Sequence, residues 1–401
     1  MAYTKTVLDE LRSLQGGGRG KALLAIASSS FLLIGVQMIY PVLLPELRSA
    51  YDLGLTTAGL LLTALWVANA VGQLPGGMLA DRIGEGRTIV ASVVLSAITL
   101  ALIVTAVSVL ALFAATVLLG FAIALFGVAR YTALHDLFPE QVGTTIGIVL
   151  AAADAGQALL PPFAGFVAVA FLWQFGFGFT IPLFVLVALV LWLYVPGRTS
   201  REITGDDTVS LATVRSIVSS MRTRAIGYGT AAFIVYVVIW VAFTGFYPTY
   251  LIEVKGQSST VTGILFGLFF ATGVVVKPLS GAAYDRVGTK LSLLAIAAIS
   301  IVGLVSLPFV EGIPLLIAAT VLVAPILGSG TIAQSHLVAA LPSEIRGTGL
   351  GVIRSAVMGM AALSPAAFGA AAERGFFDEA FLALAGLAGL MILFVVRIPS
   401  E

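Results

Sequence analysis

Long apolar runs, separated by short polar turns, recur along the whole chain. A helix needs about 20 residues to cross the hydrocarbon core of a bilayer, and twelve runs reach that length. The ten-residue alternation of a closed β-barrel, the other structure that can span a membrane, does not occur in the sequence. The pattern therefore predicts an all-α membrane protein. The predicted spans are 23–45, 57–80, 88–108, 110–133, 144–168, 175–196, 225–250, 259–284, 289–308, 314–337, 348–372 and 377–397.

The two halves of the chain repeat one another. The run from Gly77 to Gly84, GMLADRIG, recurs from Gly281 to Gly288 as GAAYDRVG, at an offset of 281 − 77 = 204 residues. The same offset aligns five further sites, and a Tyr-Pro pair recurs at an offset of 207. Chance does not plausibly produce this agreement, so a duplicated unit of six spans is predicted. In transporters built from repeats, the substrate lies near the midplane between them.

The longest polar stretch lies between the two repeats and separates six spans from six. We interpret it as a cytoplasmic tether that carries a surface helix at 209–222. The predicted parts are a cytoplasmic N-terminal segment 1–22, an N-terminal six-helix bundle 23–196, a central loop 197–224, a C-terminal six-helix bundle 225–397 and a tail 398–401.

The distribution of lysine and arginine orients the spans, because these residues are enriched in short cytoplasmic loops. Of the 21 lysines and arginines, fifteen lie in segments on the side of the N-terminus, three in loops on the opposite side and three inside spans. We therefore expect both termini in the cytoplasm and a multi-pass protein of the plasma membrane.

Composition excludes several classes of protein. Hydrophobic residues make up 59% of the chain and charged residues 10%, against roughly a quarter charged in an average soluble domain. A very hydrophobic soluble helical protein is therefore disfavoured. A net charge of +1 disfavours a nucleic-acid binder. With no cysteine and only two histidines, His135 and His336, no metal site and no cofactor are expected.

The repeated GxLADRxG run resembles the signature loop of the major facilitator superfamily. Its second copy, Phe138 to Gly147 and Leu341 to Thr348 are similar to other loops of that family. The resemblance implies a fold of two pseudo-symmetric six-helix bundles and a transporter that works by alternating access. Two departures stand out. Glu85 precedes the first basic residue after the loop, and Thr116 stands where proton-coupled members often have an arginine.

The resemblance also implies a gating latch on the cytoplasmic side. By family geometry, Asp81 faces the start of span eleven near Gly347 to Gly351, and Asp285 faces the start of span five near Gly143 to Gly147. A carboxylate at a helix N-terminus is stabilised by the helix dipole, so each contact would hold the two halves together on that side. A tight turn with solvated ends is the alternative. The expected latch residues are Gly77, Asp81, Arg82, Gly84, Arg87, Gly281, Asp285, Arg286 and Gly288.

Four ionisable residues lie inside predicted spans, where such groups usually face the bundle interior. Asp154 is about ten residues into span five, roughly 15 Å deep, so it must be paired, hydrated or protonated. Lys277 and Arg354 are its candidate cationic partners and otherwise join helices structurally. Arg130 either contributes to the same cavity or extends to the interface. These four are the candidate transport and coupling residues.

Other polar and aromatic residues inside the spans are candidates to line a substrate cavity, although many such groups simply bond neighbouring helices. The expected cavity residues are Gln37, Tyr40, Asn69, Gln73, Gln157, Tyr236, Trp240 and Gln334.

The sequence favours a secondary active transporter of a small solute, coupled to protons. Lys277 and Arg354 favour a polar or anionic substrate, whereas the aromatic content favours an efflux antiporter of drug-like compounds. A non-transporting receptor or permease subunit and an intramembrane enzyme are the competing classes. The latch in both halves disfavours the first, and the lack of a His or Cys cluster disfavours the second. No ATP-binding GxxxxGK[ST] run occurs. We expect a monomer in the bilayer, with the direction of transport left open.

Overall fold

The structure is a computed structural model that describes residues 18–199, 223–342 and 346–399. Within these ranges the chain is α-helical without strands, and eleven helices are long and apolar enough to cross a membrane. One of them, Ser259–Ser306, has 48 residues and is interrupted at Gly288, where φ is 75°. We number its two parts separately, so the twelve predicted spans are confirmed.

The helices follow one another with short turns. They are α1 Arg19–Tyr51, α2 Leu55–Ile83, α3 Glu85–Val104, α4 Val109–Leu137, α5 Val142–Ala170, α6 in two pieces Trp173–Gly178 and Thr180–Tyr194, α7 Arg224–Glu253, α8 and α9 within Ser259–Ser306 on either side of Gly288, α10 in two pieces Ile313–Val323 and Ile326–Ala340, α11 in two pieces Arg346–Ala361 and Ser364–Glu373, and α12 Phe377–Val396.

Two predicted features lie outside the described residues. They are the N-terminal segment before residue 18 and the surface helix at 209–222. The first bundle is formed by α1–α6 and the second by α7–α12. We call the face that carries Gly18 and Ile398 the near face, and the opposite one the far face.

The internal repeat has a structural counterpart in each bundle. In the first, the hydroxyls of Tyr40 on α1 and Thr116 on α4 are hydrogen-bonded at 2.6 Å. In the second, Tyr247 on α7 and Thr320 on α10 form the same bond. All four residues are buried. Thr116, the departure from the family pattern, therefore ties α4 to α1 as its repeat does in the other half.

The loop glycines of the repeat share a conformation as well. Gly84 after α2 has φ 98°, and Gly288 after α8 has φ 75°. Side chains other than glycine rarely adopt positive φ. Glycine is therefore required at both positions for the chain to turn sharply from one span into the next.

The two bundles pack closely on the far side. Gly59 of α2 lies against the backbone of Pro365 in α11, and Gly369 of α11 lies against the backbone of Leu55. The amide of Ala366 donates a hydrogen bond to Oγ1 of Thr63 at 3.1 Å. Small residues permit such close helix approach. The far side is consequently closed.

The near side differs. A Cβ atom placed on Gly143 or Gly147 at the start of α5 would have no neighbour within 4 Å, and the same holds for Gly351 and Gly359 in the near part of α11. At these near-side positions the helices at the seam between the bundles are therefore packed less closely than on the far side.

Candidate functional site

An ion pair joins the two bundles near mid-depth. Nζ of Lys277 on α8 donates to Oδ1 of Asp154 on α5 at 2.6 Å. Asp154 lies twelve residues from the start of α5, which is about 18 Å from the near end of the helix. The side chains of Lys277 and Asp154 are 31% and 19% exposed, respectively. The pair is therefore partly exposed and lies near the middle of the two helices that carry it.

Two further polar residues surround this pair. Nε2 of Gln157, one turn along α5, donates to Oδ1 of Asp154 at 3.2 Å. Tyr236 on α7 is buried and lies near Asp154. Its ring packs against Gly330 of α10, and Nε2 of Gln334 donates to the Gly330 carbonyl at 3.0 Å.

A second group of charges lies closer to the near face. The Arg130 guanidinium on α4 donates to Oγ of Ser30 at 3.3 Å and to the hydroxyl of Tyr131 at 2.9 Å. It also lies over the rings of Phe126 and Tyr131. Arg354 of α11, from the second bundle, is exposed and lies near the same tyrosine. Two positive charges from opposite bundles thus converge on one tyrosine.

Three buried N–H groups in this region have no hydrogen-bond partner among the described residues. They are Nε2 of Gln37 on α1, Nε of Arg130 on α4 and Nε1 of Trp240 on α7. All three are donors, and a buried donor without an acceptor costs free energy. A ligand that supplies acceptors could satisfy these three groups. The Trp240 ring meets Trp66 of α2 edge-on across the bundles, with centroids 5.3 Å apart.

The comparisons with known proteins agree with this architecture. Residues 26–365 and 230–401 match the family described as the Major Facilitator Superfamily. The chain belongs to this superfamily. The matched family and its named relatives are transporters, which agrees with the prediction that the protein is not an enzyme.

Relatives of this superfamily member are distant. It is 22% identical over 252 residues to a hexuronate transporter of Bacillus subtilis (strain 168), covering 61% of this chain and 60% of the relative. It is 26% identical over 257 residues to YtbD, an uncharacterised MFS-type transporter of the same strain, covering 63% of each. The chain thus spans about 60% of the length of these curated relatives.

Solved structures match nearly the whole chain. A bacterial homologue of the human lysosomal transporter Spinster, in an inward-facing and unoccupied conformation, gives a TM-score of 0.72 at 17% identity over 96% of this chain and 95% of that one. A point mutant of the nucleoside transporter NupG gives 0.78 at 15% identity over 94% of this chain and 100% of that one. At these identities the likeness establishes the fold alone.

The superfamily's signature loops lie at the near face. Asp81, Arg82, Asp285 and Arg286 are exposed, as is Arg87. The contact predicted for Asp81 involves the helix start from Gly347 to Gly351. Its side chains up to residue 348 lie outside the described part of the structure, and Gly351 is exposed with no atom within 4 Å of a Cβ placed on it. At the helix start predicted to meet Asp285, Gly143 and Gly147 are exposed, and no atom lies within 4 Å of a Cβ placed on either. The latch therefore stays a prediction about the state in which the near side is closed.

The segment after α6 holds the first loop in place. Nη2 of Arg198 donates to the carbonyl oxygens of Asp81 and Arg82 at 3.0 and 2.8 Å. Oε2 of Glu85, the departure from the family pattern, accepts from the amide and hydroxyl of Thr199 at 2.9 and 3.1 Å. A basic residue at this position could not accept these bonds. The presence of Glu85 thus connects the loop to the start of the central linker.

Two of the predicted cavity residues form hydrogen bonds within their own bundle, and two others have charged counterparts in the repeat. Tyr40 is buried inside the first bundle against Thr116, and Nδ2 of Asn69 donates to the Gly120 carbonyl of its own bundle at 3.5 Å. Gln73 and Gln334 are the counterparts of Lys277 and Arg130 at the repeat offset of 204. The repeat therefore presents a cation in one bundle and an amide in the other at each of these two positions.

Sequence reasoning did not identify Tyr131 as the residue on which the two arginines converge. Its position directly after Arg130 was the available signal, but helix rotation decides whether it faces the other bundle. The far-side contacts were also missed, because acids at span ends usually indicate only a solvated helix terminus.

Proposed function

We propose that the protein is a secondary active transporter that moves a small organic anion together with protons by alternating access. The near face is the cytoplasmic face in this proposal, as the excess of lysine and arginine there indicates.

The observation that carries the proposal is the convergence of Arg130 and Arg354 on Tyr131 between the bundles. Guanidinium groups bind carboxylates through paired, charge-assisted hydrogen bonds. Nε of Arg130 is buried without an acceptor, and Arg354 is exposed. A carboxylate that enters from the near face would supply acceptors to both residues. It would also attract the two bundles to each other, since each contributes one cation.

The Asp154–Lys277 pair is the proposed coupling element. In the empty state the carboxylate is neutralised by the ammonium group. An anion that draws Lys277 toward itself removes this partner, and the carboxylate then binds a proton more readily. Anion and proton would cross together. The alternative, exchange of a drug-like cation for protons, would require the cation to bind among unpaired donors.

The hexuronate transporter among the relatives supports the anionic substrate class, since a hexuronate is a sugar acid with one carboxylate and several hydroxyls. Such a molecule offers acceptors to the donors of Gln37 and Trp240 as well. Identity of 22% over part of the chain supports this class and not a particular sugar acid.

The proposal is tested by uptake into proteoliposomes that contain only this protein, with an imposed pH gradient and a panel of sugar acids, neutral sugars and lipophilic cations. Arg354→Gln should weaken binding of the transported anion about 10- to 100-fold, because a charge-assisted hydrogen bond is lost. Arg354→Lys should recover part of it, since the charge remains but the fork geometry does not. Arg19→Gln at the exposed start of α1 is the control. Preferential transport of lipophilic cations, or equal affinity in Arg354→Gln, would refute an anionic substrate.

A further inference from the structure

The start of α2 has no cap of its own. The first N–H groups of a helix have no partner within it, and Ser, Thr, Asp or Asn usually accepts from one of them. Here the N-cap is Gly54, with φ −65° and ψ 164°, and the first turn contains no acidic residue. This backbone geometry suits a serine cap. The helix therefore begins at the far face with donors that need an acceptor from elsewhere.

The acceptor comes from the other bundle. The amide of Thr56 donates to Oε2 of Glu373 at 3.1 Å, and Oε1 lies over Gly54 so closely that a Cβ atom there would collide with it. Glu373 is the last residue of α11. A carboxylate at a helix N-terminus is attracted by the partial positive charge there. The second bundle thus caps a helix of the first.

Two other polar contacts cross the bundles at the same face. Arg48 at the end of α1 is paired with Glu253 at the end of α7. Oγ of Ser259 at the start of α8 donates to Oε1 of Glu46 at 2.8 Å. These contacts lie on the side where the seam is closed. Exposed ion pairs contribute little each, so the cap adds to a set of weak contacts that break together when the far side opens.

The cap has a mirror image in the near-face latch. Helices α2 and α11 run in opposite directions, and each carries an acid near its last turn, Asp81 on α2 and Glu373 on α11. Each acid lies at the face where the other helix begins. The first turn of α11 also lacks an acidic residue. With the predicted near-face latch, this helix pair would carry an attraction at each end, and rocking of the bundles about their centre would form one contact as it breaks the other.

We propose that Glu373 is a gating residue that caps α2 from the other bundle and holds the far side closed, and that Gly54 is glycine so that α2 cannot supply this cap itself. The inference rests on the alternating access of the proposed function. It assigns the far-side half of the cycle to a residue outside the signature loops. Glu373 has no counterpart in the repeat, where Val169 stands at the offset of 204.

The test measures the distance between the bundles at the far face directly. The chain has no cysteine, so spin labels at Val107→Cys and Phe309→Cys, both strongly exposed in far-face loops, report one distance. Glu373→Gln and Glu373→Ala should raise the ratio of the long-distance to the short-distance population about two- to fivefold at low salt, with Ala having the larger effect. High salt should reduce the difference between Glu373→Gln and the parent.

Gly54→Ser is a second variant that should break the same contact, here by a change in the first bundle. Its hydroxyl would cap α2 locally and its Cβ would displace the Glu373 carboxylate. It should open the far side as Glu373→Ala does, although it stabilises the start of α2. Glu379→Gln, an exposed acid in the first turn of α12, is the matched control and should leave the distance unchanged.

The outcomes separate the gate from the transport activity. If Asp81→Asn shifts the populations while the Glu373 and Gly54 variants match the control, the cap does not gate and the inference is overturned. If none of the variants moves the distance in a protein that transports, it is overturned as well. If the distance shifts as expected but no solute is transported in liposomes, the proposed function fails and the gate stands.

Discussion

At the scale of single residues, breaking the Asp154–Lys277 ion pair costs free energy. Removing one member of a buried ion pair leaves an uncompensated charge. Both side chains are partly exposed, so water moderates the penalty. In the proposed function, this partial exposure is what would let a substrate compete for Lys277.

Asp154→Asn should abolish accumulation driven by a pH gradient and leave exchange of labelled for unlabelled substrate partly intact. Asparagine keeps the size and a hydrogen-bond acceptor for Lys277 but cannot bind a proton in this cycle. Both activities are measured in proteoliposomes. Asp52→Asn is the control, because Asp52 is exposed at the far face with φ 51°, a conformation that asparagine tolerates. If the Asp154→Asn variant still concentrates substrate, another residue carries the proton.

The depth of these residues was readable from the sequence, because counting along a helix fixes depth. Their rotation was not. Arg354 and Lys277 were both candidate partners for Asp154, and the structure pairs Lys277 with it while Arg354 lies near Tyr131. Tyr40 shares the depth of cavity residues but points to Thr116. Only packing between helices decides such cases.

At the scale of elements, the turn between α2 and α3 depends on Gly84. Its φ of 98° and ψ of 151° lie in a region that is essentially restricted to glycine, and a Cβ atom would also collide with the carbonyl of Gly197. The span boundaries were predicted well because apolar runs and glycine signals agree there. The attachment of Arg198 and Glu85 to this turn was not predictable, since it depends on where the chain returns after α6.

Gly84→Ala should destabilise the protein by about 1–3 kcal/mol and lower its melting temperature in detergent. Gly386→Ala provides the matched control, since Gly386 lies within α12 and a Cβ atom there meets nothing within 4 Å. This control should be neutral or slightly stabilising, because alanine favours helix. Equal melting temperatures for the two variants would contradict the strained turn.

At the scale of the whole molecule, the two faces carry different charge. The near face holds the loops rich in lysine and arginine, and the far face holds the inter-bundle contacts of Glu46, Glu253 and Glu373. The twelve membrane spans could be predicted from the sequence, because each apolar run has the length needed to cross the bilayer. Which side is closed depends on the balance of contacts at each seam and could not be read in the same way.

Reporter fusions after Asp52 and after Asp207 should report opposite sides of the membrane, with the second in the cytoplasm. The first position follows α1 at the far face, and the second lies in the central loop between α6 and α7. The physical reason is the retention of lysine- and arginine-rich loops on the cytoplasmic side. An alkaline phosphatase and a fluorescent protein fusion at each position would settle it, and the same side for both would contradict the topology.

The hydrogen bond from Thr56 to Glu373 makes one backbone amide a reporter of far-side opening. Thr56 lies in the first turn of α2, where its amide hydrogen has no acceptor within the helix. Its shielding from solvent deuterium therefore depends on the carboxylate of the opposite bundle. Exchange at this single amide would proceed only during the intervals in which the far side is open. Its rate, compared with and without substrate, would count how often the empty and loaded carriers visit that state.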